Sequence, residues 1–401
     1  MVITRTRYLK KIIPFIDKNL IKVLTGIRRA GKTVLLHQVA EIIMKRGVKR
    51  ENIISINMES MKYRRLAAGG ALYDYIVEQS KAAEGRTYIM LDEVQDVKDW
   101  QIVVNSLRVD IDCDIYITGS NSTLFADELA SHLSGRYVRF SVYPFSFAEA
   151  KEITREIGAS KSDDELFADY IKYGGMPQRF YLPDAQSVES YLFDLFDAVA
   201  NRDVISRHSI RDVSALRRVT LFMLDNIGNP FSARKITGAM VSRGIKITTP
   251  TVQNYIAWLS EAFIIHAAAR YDIKGKDILT STEKYYAGDL GIRNIVKSSE
   301  KIDLSKLFEN VVYLEMMSRG YELQVGKLDD LEIDFIARRG NEKIYIQVAY
   351  AITDEDEARE FGNLEMIGDN YPKWVISNDR IDMSRNGIIH KNIIDFLLEE
   401  A

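Results

Sequence analysis

TGIRRAGKTVLL occupies residues 25–36, and its reading decides how the N-terminal part of the chain is understood. It holds Gly26, four further residues, and then Gly31-Lys32-Thr33. That spacing is a phosphate-binding loop, provided a strand leads in and a helix leads out. Both conditions are met. IKVLTG (21–26) is an apolar run ending in glycine, and KTVLLHQVAEIIMKRG (32–47) has helical apolar spacing. Glycine lets the backbone wrap a phosphate closely, and amides at a helix start point toward it. The loop candidates are Gly26, Ile27, Arg28, Arg29, Ala30, Gly31, Lys32, Thr33 and Val34. Lys32 is read as the cation for the β and γ phosphates and Thr33 as a Mg²⁺ ligand. Arg28 and Arg29 supply backbone amides and a wall.

Further strand and helix patterns alternate outward from this loop. NIISIN (52–57), TYIMLDE (87–93), DIYITGSN (114–121) and RYVRFSVY (136–143) read as strands. Helical patterns lie at 71–83, 99–110 and 122–133. Apolar strands separated by helices of this length indicate an α/β fold with a parallel sheet covered on both faces.

Asp92, at the carboxyl end of a buried strand, is the expected holder of Mg²⁺ through its water shell, and Glu93 the group that activates water. The run TGSN (118–121) ends at the same sheet edge, so Asn121 or Ser120 is a candidate for the γ-phosphate or the water. A polar turn capping the next helix is the alternative. Arg136 begins the last strand of the set. It is expected either to contact a phosphate, in its own or a neighbouring subunit, or to form a structural ion pair. No Asn-Lys-x-Asp segment for guanine recognition occurs, which favours ATP over GTP.

GIRRAGKT, YIMLDE, ITGSNS, LSGRYVRFSVYPFSFAEA and YGGMPQ, in that order and spacing, resemble a family of prokaryotic P-loop ATPases of the AAA+-like superclass. The resemblance covers the whole chain. It implies an AAA+ strand order, a Walker A lysine at Lys32, Walker B acids at Asp92 and Glu93, and an arginine role for Arg136. It also implies a winged helix and a C-terminal domain of restriction-endonuclease-like fold.

Residues 146–210 are helical in pattern and resemble, by analogy, the lid of such ATPases. Arg202 and Asp203 lie there, either at an interface or on a solvated face. FSARKITGAMVSRG (231–244), with Ser232 as cap, and TTPTVQNYIAWLSEAFII (248–265), with Thr249 as cap and Pro250 in the first turn, read as a helix-turn-helix. AARYDIKGKDIL (268–279) reads as a hairpin ringed by Arg270, Lys274 and Lys276, which completes a winged helix. Bound to double-stranded DNA, it would place Thr251, Gln253 and Asn254 in the major groove and the hairpin on phosphate. A purely protein-packing role is the alternative. From Asn201 to Gly275 there are eleven Lys/Arg against five Asp/Glu, although the whole chain of 401 residues carries only −3.

From Leu304 onward the pattern is helix, three strands, helix, strand, helix. Glu309 falls on the first helix and Asp334 on the second strand, as in a nuclease core. Gln347 and Ala349 stand where glutamate and lysine are needed, and Lys343 is roughly 20 Å along the same strand. A missing electrostatic contact of this kind costs on the order of 10² to 10³ in rate, so the domain is expected to be silent as a nuclease.

The expected domains are 1–145 (ATPase core), 146–210 (helical lid), 211–280 (winged helix) and 281–401 (nuclease-like). The single cysteine, Cys113, fits a reducing cytoplasm, and no apolar stretch reaches the ~18 residues of a membrane span. The expected function is a cytoplasmic Mg²⁺-dependent ATPase that binds ATP, with DNA, another protein or a further copy of itself as partner. A nucleotide-gated switch with little turnover and an ATP-driven nuclease are the rival readings.

Overall fold

A computed structural model describes residues 2–121, 133, 135–297, 303–353, 357 and 359–399. The chain divides into two compact units, residues 2–142 and 143–401.

The first unit is built on five strands: β1 (Ile21–Thr25), β2 (Ile53–Asn57), β3 (Thr87–Asp92), β4 (Cys113–Gly119) and β5 (Tyr137–Ser141). All neighbours are parallel, in the order β2-β3-β4-β1-β5. β1, β3 and β4 are buried along their whole length, which is why they read as unbroken apolar runs. The helices are α1 (Thr6–Ile12), α2 (Lys32–Lys45), α3 (Gly69–Ser80) and α4 (Trp100–Asp110). α1 was not expected from the pattern, although Tyr8, Leu9 and Ile12 form its buried face. The helix expected at 122–133 lies outside the described residues, Leu133 excepted. At the amino ends of β1 and β4, Lys22 pairs with Asp114, both fully buried. The Tyr116 hydroxyl and the Asp17 amide donate to the other oxygen of that carboxylate, at 2.8 and 2.9 Å.

The second unit opens with α5 (Phe147–Glu156), α6 (Asp163–Tyr173) and α7 (Ala185–Val199). α7 continues into a π-helical turn, Ala200–Ser206, where Arg202 is exposed and Asp203 buried. α8 (Val213–Asp225), α9 (Ala233–Val241) and α10 (Thr249–Glu261) follow, then α11 (Leu290–Val296) and α12 (Leu304–Arg319). Ser232 caps α9 as expected. The cap of α10 is Thr248 rather than Thr249, because a cap must have extended backbone and its hydroxyl must reach the third amide; Thr249 and Pro250 both lie in the first turn.

Eight strands form the second sheet: β6 (Pro230–Phe231), β7 (Ile265–Asp272), β8 (Asp277–Ala287), β9 (Glu322–Leu328), β10 (Leu331–Arg339), β11 (Glu342–Val348), β12 (Lys373–Ser377) and β13 (Ile388–Asn392). Their order is β13-β12-β11-β10-β9-β7-β8-β6. The expected boundary between residues 280 and 281 falls inside β8. The hairpin β7–β8 is not a free wing, because β7 pairs in parallel with β9 through Arg270↔Val325, Tyr271↔Gly326 and Asp272↔Lys327. An exposed strand edge carries unpaired amides and carbonyls, and β9 satisfies them. β13 was not anticipated. The helix expected at 354–368 is described only in part, as α13 (Gly362–Glu365), and α14 (Ile393–Leu398) ends the chain as described.

The YGGMPQ and PFSF segments meet each other and a third glycine-rich segment, Gly288-Asp289-Leu290-Gly291. Phe145 donates its amide to the Gly175 carbonyl at 2.8 Å. The Asp289 carboxylate accepts the Gly175 amide at 2.7 Å and caps α11 through Ile292 at 3.0 Å. No side chain fits between these backbones. A Cβ on Gly174, whose φ is +70°, would lie 2.3 Å from Asp289 Oδ1; one on Gly175 would lie 2.2 Å from the Phe145 carbonyl oxygen; one on Gly291, 2.0 Å from that of Tyr173. Gly175→Ala is therefore expected to lower unfolding stability by about 3 kcal/mol or more. Gly238→Ala, on an exposed helical turn with open space around it, is expected to raise it by about 0.5–1 kcal/mol. Urea denaturation of both variants checks the contrast, and equal effects would refute this account of the glycines.

Candidate nucleotide site

The carboxyl ends of parallel strands are where an open α/β sheet collects ligand-binding groups. Here that edge carries Thr25 on β1, Asn57 on β2, Asp92 on β3 and Thr118 on β4. Asn57 and Asp92 are in register across β2 and β3.

The loop between β1 and α2 crosses this edge. Gly26 lies so close to β5 that a Cβ would sit 2.0 Å from the Val142 carbonyl oxygen. Arg29 and Gly31 have left-handed backbone, with φ of 68° and 96°, and α2 begins at Lys32. The first amides of a helix have no partner within it, so those of α2 stand ready for an anion. Lys32 is buried and donates to the carbonyls of Gly26 at 2.9 Å and Ile27 at 3.2 Å, with Glu93 Oε1 3.8 Å away. The Thr33 hydroxyl donates to Asp92 Oδ2 at 2.8 Å.

Asp92 is the hub. Asn57 Nδ2 also donates to its Oδ2, at 2.8 Å, and the Thr118 hydroxyl donates to its Oδ1 at 2.5 Å. Burial pushes the Asp92 carboxyl above its ordinary pKa, against the hydrogen bonds from Thr118 and Thr33, which favour the charged form. The Thr118 oxygen accepts the Glu93 amide at 2.9 Å, so one hydroxyl holds both acidic residues. Glu93 has left-handed backbone, φ 53° and ψ 51°, an uncommon state for a residue with a side chain. Its carboxylate is held by Gln95. Arg28 is tied by its side chain: Nη1 lies 2.8 Å from Glu59 Oε1, and Glu59 donates its amide to Asn57 Oδ1 at 2.8 Å.

Sequence reasoning thus placed Lys32, Thr33, Asp92 and Glu93 on one edge, and the structure brings them together there. It missed Asn57, Thr118, Gln95 and Glu59. Thr118 stands one strand over at the same edge, within the quoted TGSN run, ahead of the candidates Ser120 and Asn121. Ser120 and Asn121 are wholly buried just past the end of β4. Arg136 is elsewhere. Its carbonyl accepts the Ile21 amide at 2.9 Å, level with the start of β1, and its guanidinium donates to Asn105 at 3.1 Å. The length of β1 separates it from the loop, roughly 16 Å at strand rise.

The Thr33 hydroxyl and the Asp92 carboxylate are hard oxygen donors of the type Mg²⁺ takes, and they lie side by side where phosphate would meet the loop. No cluster of three or more His, Cys, Asp or Glu suited to a metal occurs among the described residues.

Residues 18–151 match the family described as AAA domain, and residues 164–303 match a domain of unknown function, DUF8612. An uncharacterized protein of Haemophilus influenzae is 37% identical over 399 residues, covering 99% of each chain. One from Methanocaldococcus jannaschii is 30% identical over 364 residues, covering 87% of this chain and 78% of that one. The chain belongs to this AAA-domain family. Among solved structures, the Walker-type ATPase of Pyrococcus abyssi is similar in fold, with a TM-score of 0.51 at 16% identity over 74% of this chain and 96% of that one.

Within the AAA domain the Thr118 hydroxyl is the joint between the two acids. Thr118→Val keeps its shape and removes the hydroxyl. It is expected to retain nucleotide affinity within a few-fold and to lower turnover by about 10- to 100-fold, as loss of a supporting hydrogen bond does at such sites. Nucleotide titration beside a phosphate-release assay checks this, and parent-like turnover would remove Thr118 from the site.

Proposed function

We propose that this chain is a Mg²⁺-dependent ATPase whose AAA domain binds and hydrolyses ATP. The observation that carries the proposal is the 2.8 Å hydrogen bond joining Thr33, on the phosphate loop, to Asp92, at the end of the acidic strand. Lys32 exchanges the Gly26 and Ile27 carbonyls for the β and γ phosphates, and the loop amides wrap the same oxygens. Thr33 and Asp92 hold Mg²⁺, which when bound neutralises phosphate charge. Glu93 accepts a proton from water as the water oxygen bonds to the γ phosphorus and the bond to the β-γ bridging oxygen breaks. Thr118 and Gln95 orient Glu93, and Asn121 and Ser120 border the same space. Arg136 serves the nucleotide of a neighbouring copy, because its own loop is at the far end of β1.

Lys32→Ala is expected to abolish ATP binding. Glu93→Gln is expected to keep binding and lose turnover by about 10² to 10⁴. Arg136→Ala alone is expected to be impaired, and mixing it with Lys32→Ala should recover part of the activity through mixed assemblies. Parent-rate hydrolysis by Glu93→Gln would overturn the assignment of the base, and no recovery on mixing would overturn the shared site. A parent chain that binds ATP without releasing phosphate would instead be a nucleotide-gated switch.

DNA contact through the helix-turn-helix is a further part of the proposal. Gln253 and Asn254 are exposed on α10, and the surrounding segment is rich in cations. The hairpin supports it less than expected: Lys274 is paired with Asp329, and Arg270 lies 3.9 Å from Glu332. Thr251 is engaged with the Thr248 hydroxyl at 2.8 Å. Binding of duplex DNA that weakens steeply as salt rises, and is lost in Gln253→Ala/Asn254→Ala, is the expected result by fluorescence anisotropy. Unchanged binding in that variant would place any DNA contact elsewhere.

The region from α12 to α14 is proposed to keep a nuclease-like arrangement without cleavage. Gln347 has no negative charge to offer, and Ala349, buried, has no donor on its side chain. Lys343 is engaged with Asp369 at 3.2 Å.

A further inference from the structure

Three carboxylates converge inside the second unit. Glu309 comes from α12, and Glu332 and Asp334 from β10. Such a cluster has the donor chemistry for a divalent cation, yet its centre holds the ammonium of Lys284. This lysine projects from β8, the outer strand of the β7–β8 hairpin, and is 1% exposed. Its Nζ lies 2.9 Å from Glu309 Oε1, 2.8 Å from Glu332 Oε1 and 3.5 Å from Asp334 Oδ1.

We propose that the Lys284 ammonium takes the place of a divalent cation in the Glu309–Glu332–Asp334 cluster, making it a permanent ionic clasp between the hairpin, α12 and β10 rather than a metal centre.

The remaining donor positions are already used. The Tyr286 hydroxyl donates to Glu309 Oε1 at 2.6 Å, and Lys306 reaches Glu309 Oε2 at 2.8 Å. Asp334 Oδ2 accepts the Val348 amide at 3.0 Å. Gln347, which a metal could engage through its carbonyl oxygen, spends that oxygen on the Asp334 amide at 2.7 Å and its NH₂ on Glu360 at 3.1 Å. A glutamate at 347 could not make the second bond. Two lysines thus face three carboxylates, close to neutrality without a metal. Burial would lower the Lys284 pKa, but Glu309, Asp334 and Glu332 together raise it above the ordinary lysine value. Burial, with the Glu309 charge beside it, pushes Asp334 up to about 7. The clasp also accounts for the continuity of the sheet from β8 to β10: an uncompensated buried charge on either side is costly, so hairpin and core are held as one.

The test uses the full chain and Mn²⁺ as the probe, with binding measured by calorimetry in the absence of nucleotide. The parent and Asp334→Asn are expected to bind Mn²⁺ indistinguishably. A site present in the parent and lost in Asp334→Asn would overturn the proposal. Lys284→Met, which keeps the volume and removes the charge, is expected to gain an Asp334-dependent Mn²⁺ site; a folded Lys284→Met without one would overturn it as well. Its thermal midpoint should fall by on the order of 10 °C and recover in Lys284→Met/Glu309→Gln, where the orphaned carboxylate is gone. Should Lys284→Met not fold at all, the double variant decides: recovery of folding supports the clasp, and failure to recover refutes it. None of these readouts uses ATP, so the outcome is independent of the ATPase proposal.

Discussion

Asp92 is the constraint on which the first unit's chemistry rests. One carboxylate receives a hydroxyl from α2, an amide from β2 and a hydroxyl from β4. A buried charge is tolerable only when its oxygens are satisfied. The three donors therefore fix the distance between the phosphate loop and the acidic strand, and they require β2, β3 and β4 to end at one level. Parallel pairing in the order β2-β3-β4-β1-β5 is what puts those three strand ends and the loop on one edge. The same sheet sets the limit on Arg136. It stands at the other end of β1, level with Ile21.

In the second unit the corresponding constraint is close backbone approach. The PFSF and GGMP segments are joined by a backbone hydrogen bond, and the Asp289 carboxylate accepts the Gly175 amide. Gly174, Gly175 and Gly291 stand where any side chain would collide with Asp289, Phe145 or Tyr173. Their role is to bring α6, α11 and the start of α5 together around the Asp289 carboxylate. Motif strength in the sequence thus marks packing here and phosphate chemistry in the first unit, and only contacts distinguish the two.

Lys284 illustrates a similar point from the opposite side. The absence of a lysine at position 349 was legible, and so were Glu309 and Asp334. What could not be read was that a lysine 25 positions before Glu309, just past the expected hairpin at 268–279, enters the cluster. The hairpin joins the larger sheet through β9, a pairing between strands about fifty residues apart that leaves no local pattern.

By itself the sequence determined the phosphate loop, the acidic strand and the parallel α/β sheet. Glycine spacing, continuous apolar runs and helical periodicity are local properties, and they act within a few residues. It also determined the helices α9 and α10, through Ser232, Pro250 and apolar spacing, although not the cap of α10. Only the tertiary structure decided that Thr118 and Asn57 hydrogen-bond to Asp92, that Arg136 stands level with the start of β1, and that the β7–β8 hairpin joins the last sheet. Each of these depends on which strands lie side by side and where they end. Strand neighbours are chosen by the burial of whole faces and the pairing of whole edges, so no short stretch of residues carries that information.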